Sequence, residues 1–166
     1  MSRSGYIDDC DDQWRHICYR GAVASAIRGK RGQQLFRDLL AALDAMPVKE
    51  LVAHELVRDG SYCTLGVLGA ARNIPLAEID PEDSEQVANA FDIAESLARE
   101  IVYMNDEWAV DEHKWVSVEI CGPVRPGYPD WGSHTKNVLV YNDNHKSERW
   151  QKMREWIAKQ IREQAQ

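Results

Sequence analysis

The chain has 166 residues, 44% of them hydrophobic, and a formal net charge of −7. That length suits one domain built on one core, the apolar fraction excludes a wholly disordered chain, and the acidic balance excludes a general coat for nucleic acid. Cys10, Cys18, Cys63 and Cys121 form no CxxC pair, which favours reduced thiols over a disulfide frame.

No apolar run approaches the roughly 18 residues that a membrane span needs. The opening MSRSGYIDDCDD has no apolar core, so secretion is not signalled and the expected setting is the cytoplasm. Asp11 or Asp12 is placed to cap a helix over residues 13–28. In it Trp14, Ile17, Cys18, Gly21, Ala24 and Ser25 recur at steps of three and four and share a face. Gly29-Lys30-Arg31-Gly32 then reads as a turn that ends the helix. Between Asp12 and Asp38 there is no carboxylate, only Arg15, Arg20, Arg28, Lys30, Arg31 and Arg37. A basic stretch on an acidic chain needs a partner, inside the molecule or outside it.

Leu35, Phe36, Leu39, Leu40 and Leu43 make one helical apolar stripe, the expected centre of the core. Pro47 reads as the start of a third helix, with Leu51, Val52 and Leu56 inward and Asp59-Gly60 as its end. Tyr62 to Ala71 fits a buried helix better than a strand. Asp80-Pro81-Glu82-Asp83 starts a short helix that ends near Phe91. Asp92 with Glu95 forms a capping box for the next, which runs to about Met104. After Glu107 the period changes. WVSVEIC (115–121) and KNVLVY (136–141) alternate with period two around a Pro- and Gly-rich stretch, which predicts a β-hairpin with a long tip. A last helix over 147–163 carries Trp150, Met153, Ile157 and Ile161 on one face. The predicted fold is mainly α: an irregular helical bundle, one domain over 1–166, with a β-hairpin insert at 108–145 before the C-terminal helix.

The segments SRSGYIDDC and RGAVASAIRGKRGQ, with LGVLGAARN, IDPED, AESLAREIVYMNDE and ERWQKMREWI, resemble a family of small uncharacterised proteins encoded by bacteriophages and prophages. The hairpin insert departs from that family's pattern. The resemblance implies expression in an infected bacterium and brings no activity, cofactor or catalytic residue with it.

Candidate sites are few. Arg20, Arg28, Lys30 and Arg31, with the amides near Gly29 and Gly32, suit a phosphate or nucleic acid, although GxxxxGK[ST] is absent. The helices around Phe91 have Ala88, Asp92 and Ala98 at helix-turn-helix positions, but Glu95 and Glu100 would oppose a DNA groove. His16 and Cys18 point apart on a helix, and His113, His134 and His145 lack ligand spacing. Asp8, Asp9, Asp11 and Asp12 near Cys10 are more suited to capping than to a cation. Glu55 with His54, or Asp111-Glu112-His113, would need the fold to become an acid–base pair. No catalytic residue, metal or cofactor is therefore assigned. At the hairpin tip Pro123, Pro126 and Pro129 stiffen a loop carrying Tyr128, Trp131 and Arg125, residue types that make binding hot spots. The expected function is non-enzymatic. It is a phage accessory protein in the bacterial cytoplasm that binds a host protein or nucleoprotein, inhibits a defence system and has no membrane role. A homodimer stays open. The alternative is nucleic-acid or nucleotide binding by residues 28–31.

Overall fold

The computed structural model describes residues 3–4, 13–123 and 131–162, with the backbone alone at 121–123 and 131–134. The fold is mainly α with a β-hairpin, as the periodicities predict. The chain forms two compact units, one from Met1–Val110 with Lys146–Gln166 and the other Asp111–His145. No helix among the described residues is long and apolar enough to cross a membrane.

The larger unit holds helices α1 (Gln13–Arg28), α2 (Lys30–Ala45), α3 (Thr64–Ala71), α4 (Ser84–Phe91) and α5 (Glu95–Tyr103). It also holds α6 (His145–Gln160) beyond its first residue and a small ribbon of β1 (Val57–Arg58) and β2 (Ser61–Tyr62). Helix α2 is the centre. Leu35, Phe36, Leu39 and Leu43 are fully buried, while Leu40 is only half-buried at the edge of the stripe. They meet Leu65 and Leu68 of α3, Phe91 of α4, Ile101 of α5, and Met153 and Ile157 of α6 in one apolar cluster. The Phe36 ring stands edge-on to Trp156 at 5.5 Å, a preferred aromatic geometry.

Four sequence expectations are corrected. First, residues 29–32 are not a turn. Gly29 alone leaves helical geometry, and α2 begins at Lys30. Lys30, Arg31 and Gln33 are good helix formers, and Gly32 lets α2 lie against α1, since a Cβ there would collide with the Ala26 carbonyl oxygen.

Second, α1 buries a different face. Trp14 is 71% exposed and Ile17 59%, while Val23 is buried. Ala26 and Ile27 pack on the core. The polar N-terminal half of α1 carries no apolar stripe strong enough to decide its orientation, so contact with α2 and α5 decides it.

Third, residues 46–56 are not helical. Leu51, Val52 and Leu56 are buried, but their backbones bond elsewhere: the Leu51 amide to the Lys146 carbonyl, the Val52 amide to that of Tyr62, and the Cys63 amide to that of Leu56. Once those partners are taken no helical ladder can form. Asp59-Gly60, both at positive φ, is the two-residue turn of β1–β2, where such backbones match strand twist.

Fourth, Asp92 caps the end of α4 in left-handed geometry, and α5 starts at Glu95, with Ala94 at the N-cap position and no side-chain cap. Asp83, not Asp80, caps α4, through the amides of Glu85 and Gln86.

The smaller unit is an antiparallel ribbon of β3 (His113–Pro123) and β4 (Trp131–Tyr141), in register from His113 opposite Tyr141 to Pro123 opposite Trp131.

Leu39→Ala removes a side chain packed on all sides and should cost about 2–5 kcal/mol in urea unfolding. Leu40→Ala should cost clearly less, because part of that side chain already meets water. Equal losses would mean that α2 presents a different stripe.

Candidate functional site

A polar centre lies inside the larger unit, at the end of α5. There the helix widens into one π-turn, Met104–Trp108. Such turns break the regular ladder and occur often at functional sites. This one aims Asn105 and Asp106 inward, both buried. The Asn105 carboxamide oxygen accepts from the Thr64 amide at 3.1 Å and from its hydroxyl at 2.8 Å. Its Nδ2 donates to the Val52 carbonyl and to Asp106 Oδ1. Asp106 also accepts the His54 amide at 3.1 Å, and His54 holds a left-handed backbone, φ 68°.

Two arginines complete the centre. Arg149 of α6, 1% exposed, donates Nε to the Asn105 carbonyl at 2.9 Å, Nη2 to that of Val110 at 2.7 Å and Nη1 to that of Leu51 at 3.4 Å. Arg3 grips Asp106 with both arms of its fork, Nε to Oδ2 at 2.8 Å and Nη2 to Oδ1 at 3.0 Å. Burial alone would raise the Asp106 carboxyl. The hydrogen bonds and charge of Arg3, with Asn105 and the His54 amide, hold it below the ordinary range. Burial pushes the neighbouring Cys63 thiol up against the opposing pull of Arg3. Such a thiol is a poor nucleophile.

The basic segment is partly consumed by internal pairs. Arg20 Nη1 reaches both oxygens of the buried Glu100 at 2.8 Å. Arg31 meets Asp92 at 3.3 Å in an exposed pair, the kind that contributes little. Arg28 and Lys30 make no ion pair with a described residue. At this end of α2 a recess of 320 Å³ is lined by Ser25, Gly29, Lys30, Arg31, Gly32 and Ala94 among others. The starts of α2 and α5 both open onto it, and neither has a side-chain cap.

The other candidates separate. Helix α5 uses Glu100 against Arg20 and buries Ala98, so it is packed into the unit rather than presented as a groove reader. Glu55 pairs with Arg58, not with His54. His54 Nδ1 instead lies 3.8 Å from Asp106 Oδ2. His16 and Cys18 are exposed on α1. His113 and His145 each stand edge-on to Tyr141, and Asp111 and Glu112 are exposed beside the ribbon. Among the described residues no group of three His, Cys, Asp or Glu is arranged to hold a metal ion. Cys10, its neighbouring aspartates, Arg125 and Tyr128 lie outside the described residues, as do the side chains of Trp131 and His134.

A further cleft of 440 Å³ runs beside Trp150. Its cations are already engaged: Arg154 with Asp44, and Lys49 with the Leu43 and Asp44 carbonyls that end α2.

On the ribbon, Trp115 is 70% exposed, and Val116, Val118, Ile120, Val138, Leu139 and Tyr141 are exposed too. The register puts Val116 opposite Val138, with Val118, Ile120 and Val140 on the same face. Trp115 opposite Leu139 and His113 opposite Tyr141 occupy the other. No family model, curated protein or solved structure matches this chain.

The sequence reading missed Arg3, Asn105, Asp106 and Arg149. The one signal for Asn105, Asp106 and Arg149 was polar residues at inward helical positions; Arg3 lies outside every helix and carries no signal.

The folded-state Asp106 value is depressed, so its contribution to stability is complete above the unfolded value of about 3.9 and is lost as pH falls through the lower folded value. Urea unfolding across this range should show wild-type stability dropping with acid. Asp106→Asn should be less stable at pH 7 and show a flatter acid limb. An unchanged acid limb would mean that other carboxylates carry the dependence.

Proposed function

We propose that this is a non-enzymatic accessory protein of a bacteriophage or prophage that binds a host protein through the β3–β4 ribbon and inhibits a bacterial defence system. The observation that carries the contact surface is the ribbon itself. Each strand is eleven residues long and, among the described residues, pairs on one edge only. An isolated two-stranded ribbon is marginal in water. One with apolar side chains on both faces and unpaired edges offers strand addition along its length and packing across its faces. Exposed apolar surface of this extent marks interaction sites. The phage setting rests on the SRSGYIDDC and RGAVASAIRGKRGQ segments. Tyr128, Trp131 and Arg125, marked by the sequence as hot-spot residue types, belong to the contact in this reading.

A second reading is favoured by the recess at the start of α2. Lys30 and Arg31 sit at the positive end of a helix dipole with no acid in the first turn, against the usual preference. An anion such as a nucleotide phosphate relieves that arrangement.

Tagged protein exposed to bacterial lysate should retain a specific host protein. Trp115→Ser with Leu139→Ser, and separately Tyr128→Ala with Trp131→Ala, should each abolish retention and leave the melting temperature within a few degrees, since Trp115 and Leu139 are exposed. The triple change of Arg28, Lys30 and Arg31 to alanine should leave retention intact. Retention lost only in that triple variant, together with salt-sensitive oligonucleotide or nucleotide binding, would replace the first reading with the second.

A further inference from the structure

Arg3 and Asp106 are 103 positions apart in sequence, and polar bonds hold the chain at residues 3 and 4. Arg3 forks onto Asp106. The Ser4 hydroxyl donates to Glu107 at 2.7 Å, and its carbonyl accepts from Arg99 Nε at 2.7 Å. The receiving carboxylate does not depend on Arg3 for its orientation. The His54 amide and Asn105 Nδ2 hold Asp106, and Thr64 and Val52 hold Asn105. That is a receptor organised before its ligand arrives, the condition under which binding loses least to ordering. Among the described residues Arg3 Nη1 is the one buried side-chain nitrogen or oxygen with no nitrogen or oxygen partner, and the guanidinium also interacts with the Cys63 thiol.

We propose that the centre around Asp106 is a guanidinium-binding site that the chain fills with its own Arg3. Residues 3–4 act as a latch that opens while the core stays folded, and the vacated site takes another guanidinium. Asp106 supplies the bidentate acceptor, which an ammonium cannot match in geometry. Glu107, beside it, serves the hydroxyl of the residue that follows. The ligand class is therefore an arginine side chain, from this chain in the closed state. The proposal stands apart from the ribbon reading and shares no residue with it.

Cys63 reports the latch, because it is fully buried and electrostatically coupled to Arg3. Its alkylation by iodoacetamide is followed by mass spectrometry of its own peptide, which separates it from Cys10, Cys18 and Cys121. In wild type, alkylation should proceed by local opening, with a rate nearly independent of low urea. A rate that tracks global unfolding would overturn the latch. Arg3→Ala should speed alkylation by about tenfold or more, the change given by weakening a closed state by about 1.4 kcal/mol. Methylguanidinium at millimolar concentration should reverse much of that gain, and methylammonium at equal ionic strength should not. The reversal should vanish when Asp106→Asn is added. No reversal, or equal reversal by the two cations, would make Arg3–Asp106 an ordinary buried ion pair. An Arg3→Ala chain that stays unfolded with methylguanidinium present would also overturn the proposal. Arg3→Lys, which keeps the charge without the fork, should stay folded and show faster alkylation than wild type; alkylation as slow as wild type would show that charge alone closes the site.

Discussion

The burial of the Arg149 guanidinium is the constraint on which the larger unit depends. A cation taken from water needs compensation, and three backbone carbonyls contribute to it, from Leu51, Asn105 and Val110. Those three belong to a non-helical segment, a π-turn and the stretch that follows it. None is placed by a regular ladder alone. The side chain therefore does for these segments what a helix does for itself: it satisfies their acceptors and fixes their positions. It ties the irregular segment at 46–56 to the widened end of α5.

Around that cation the polar centre is connected outward. Asn105 ties the start of α3 to Val52, and Asp106 ties His54 to Arg3. Among the described residues, every buried side-chain nitrogen and oxygen of the centre but Arg3 Nη1 has a hydrogen-bond partner. A network of this kind gives little net stability over an apolar core, yet loses heavily when one member is removed. It also fixes a unique arrangement where the short helices α3, α4 and α5, of eight or nine residues, are too short to be stable alone. The apolar cluster around α2 supplies most of the driving force, and the polar centre decides which packing that force selects.

The ribbon follows a different logic. Its apolar residues face outward on both sides, and cross-strand pairs such as Val116 with Val138 stabilise it internally. A surface of that composition on an acidic chain is suited to contact with another molecule. The electrostatic feature that dominates the sequence, the run from Arg15 to Arg37, is dispersed by the fold: Arg20 is spent on Glu100 and Arg31 on Asp92.

Much of the secondary structure was legible along the chain. The stripe of Leu35, Phe36, Leu39 and Leu43, the buried helix at 64–71, the ends of α1 and α4, and the alternation of β3 and β4 are local patterns, and local pattern decides them because each segment has one apolar face to bury. The mainly α class with one hairpin follows from these. What the sequence could not decide is where polar groups far apart in the chain would meet. Leu51 and Leu56 read as a helix face because their spacing allows one, and only the Tyr62 and Lys146 carbonyls rule it out. Nothing local in the sequence marks Arg3, Asp106 or Arg149 as buried. Their burial is legible only in three dimensions, since the free energy of a buried charge is set by its partners, and those partners are brought together by the packing of α2, α5 and α6.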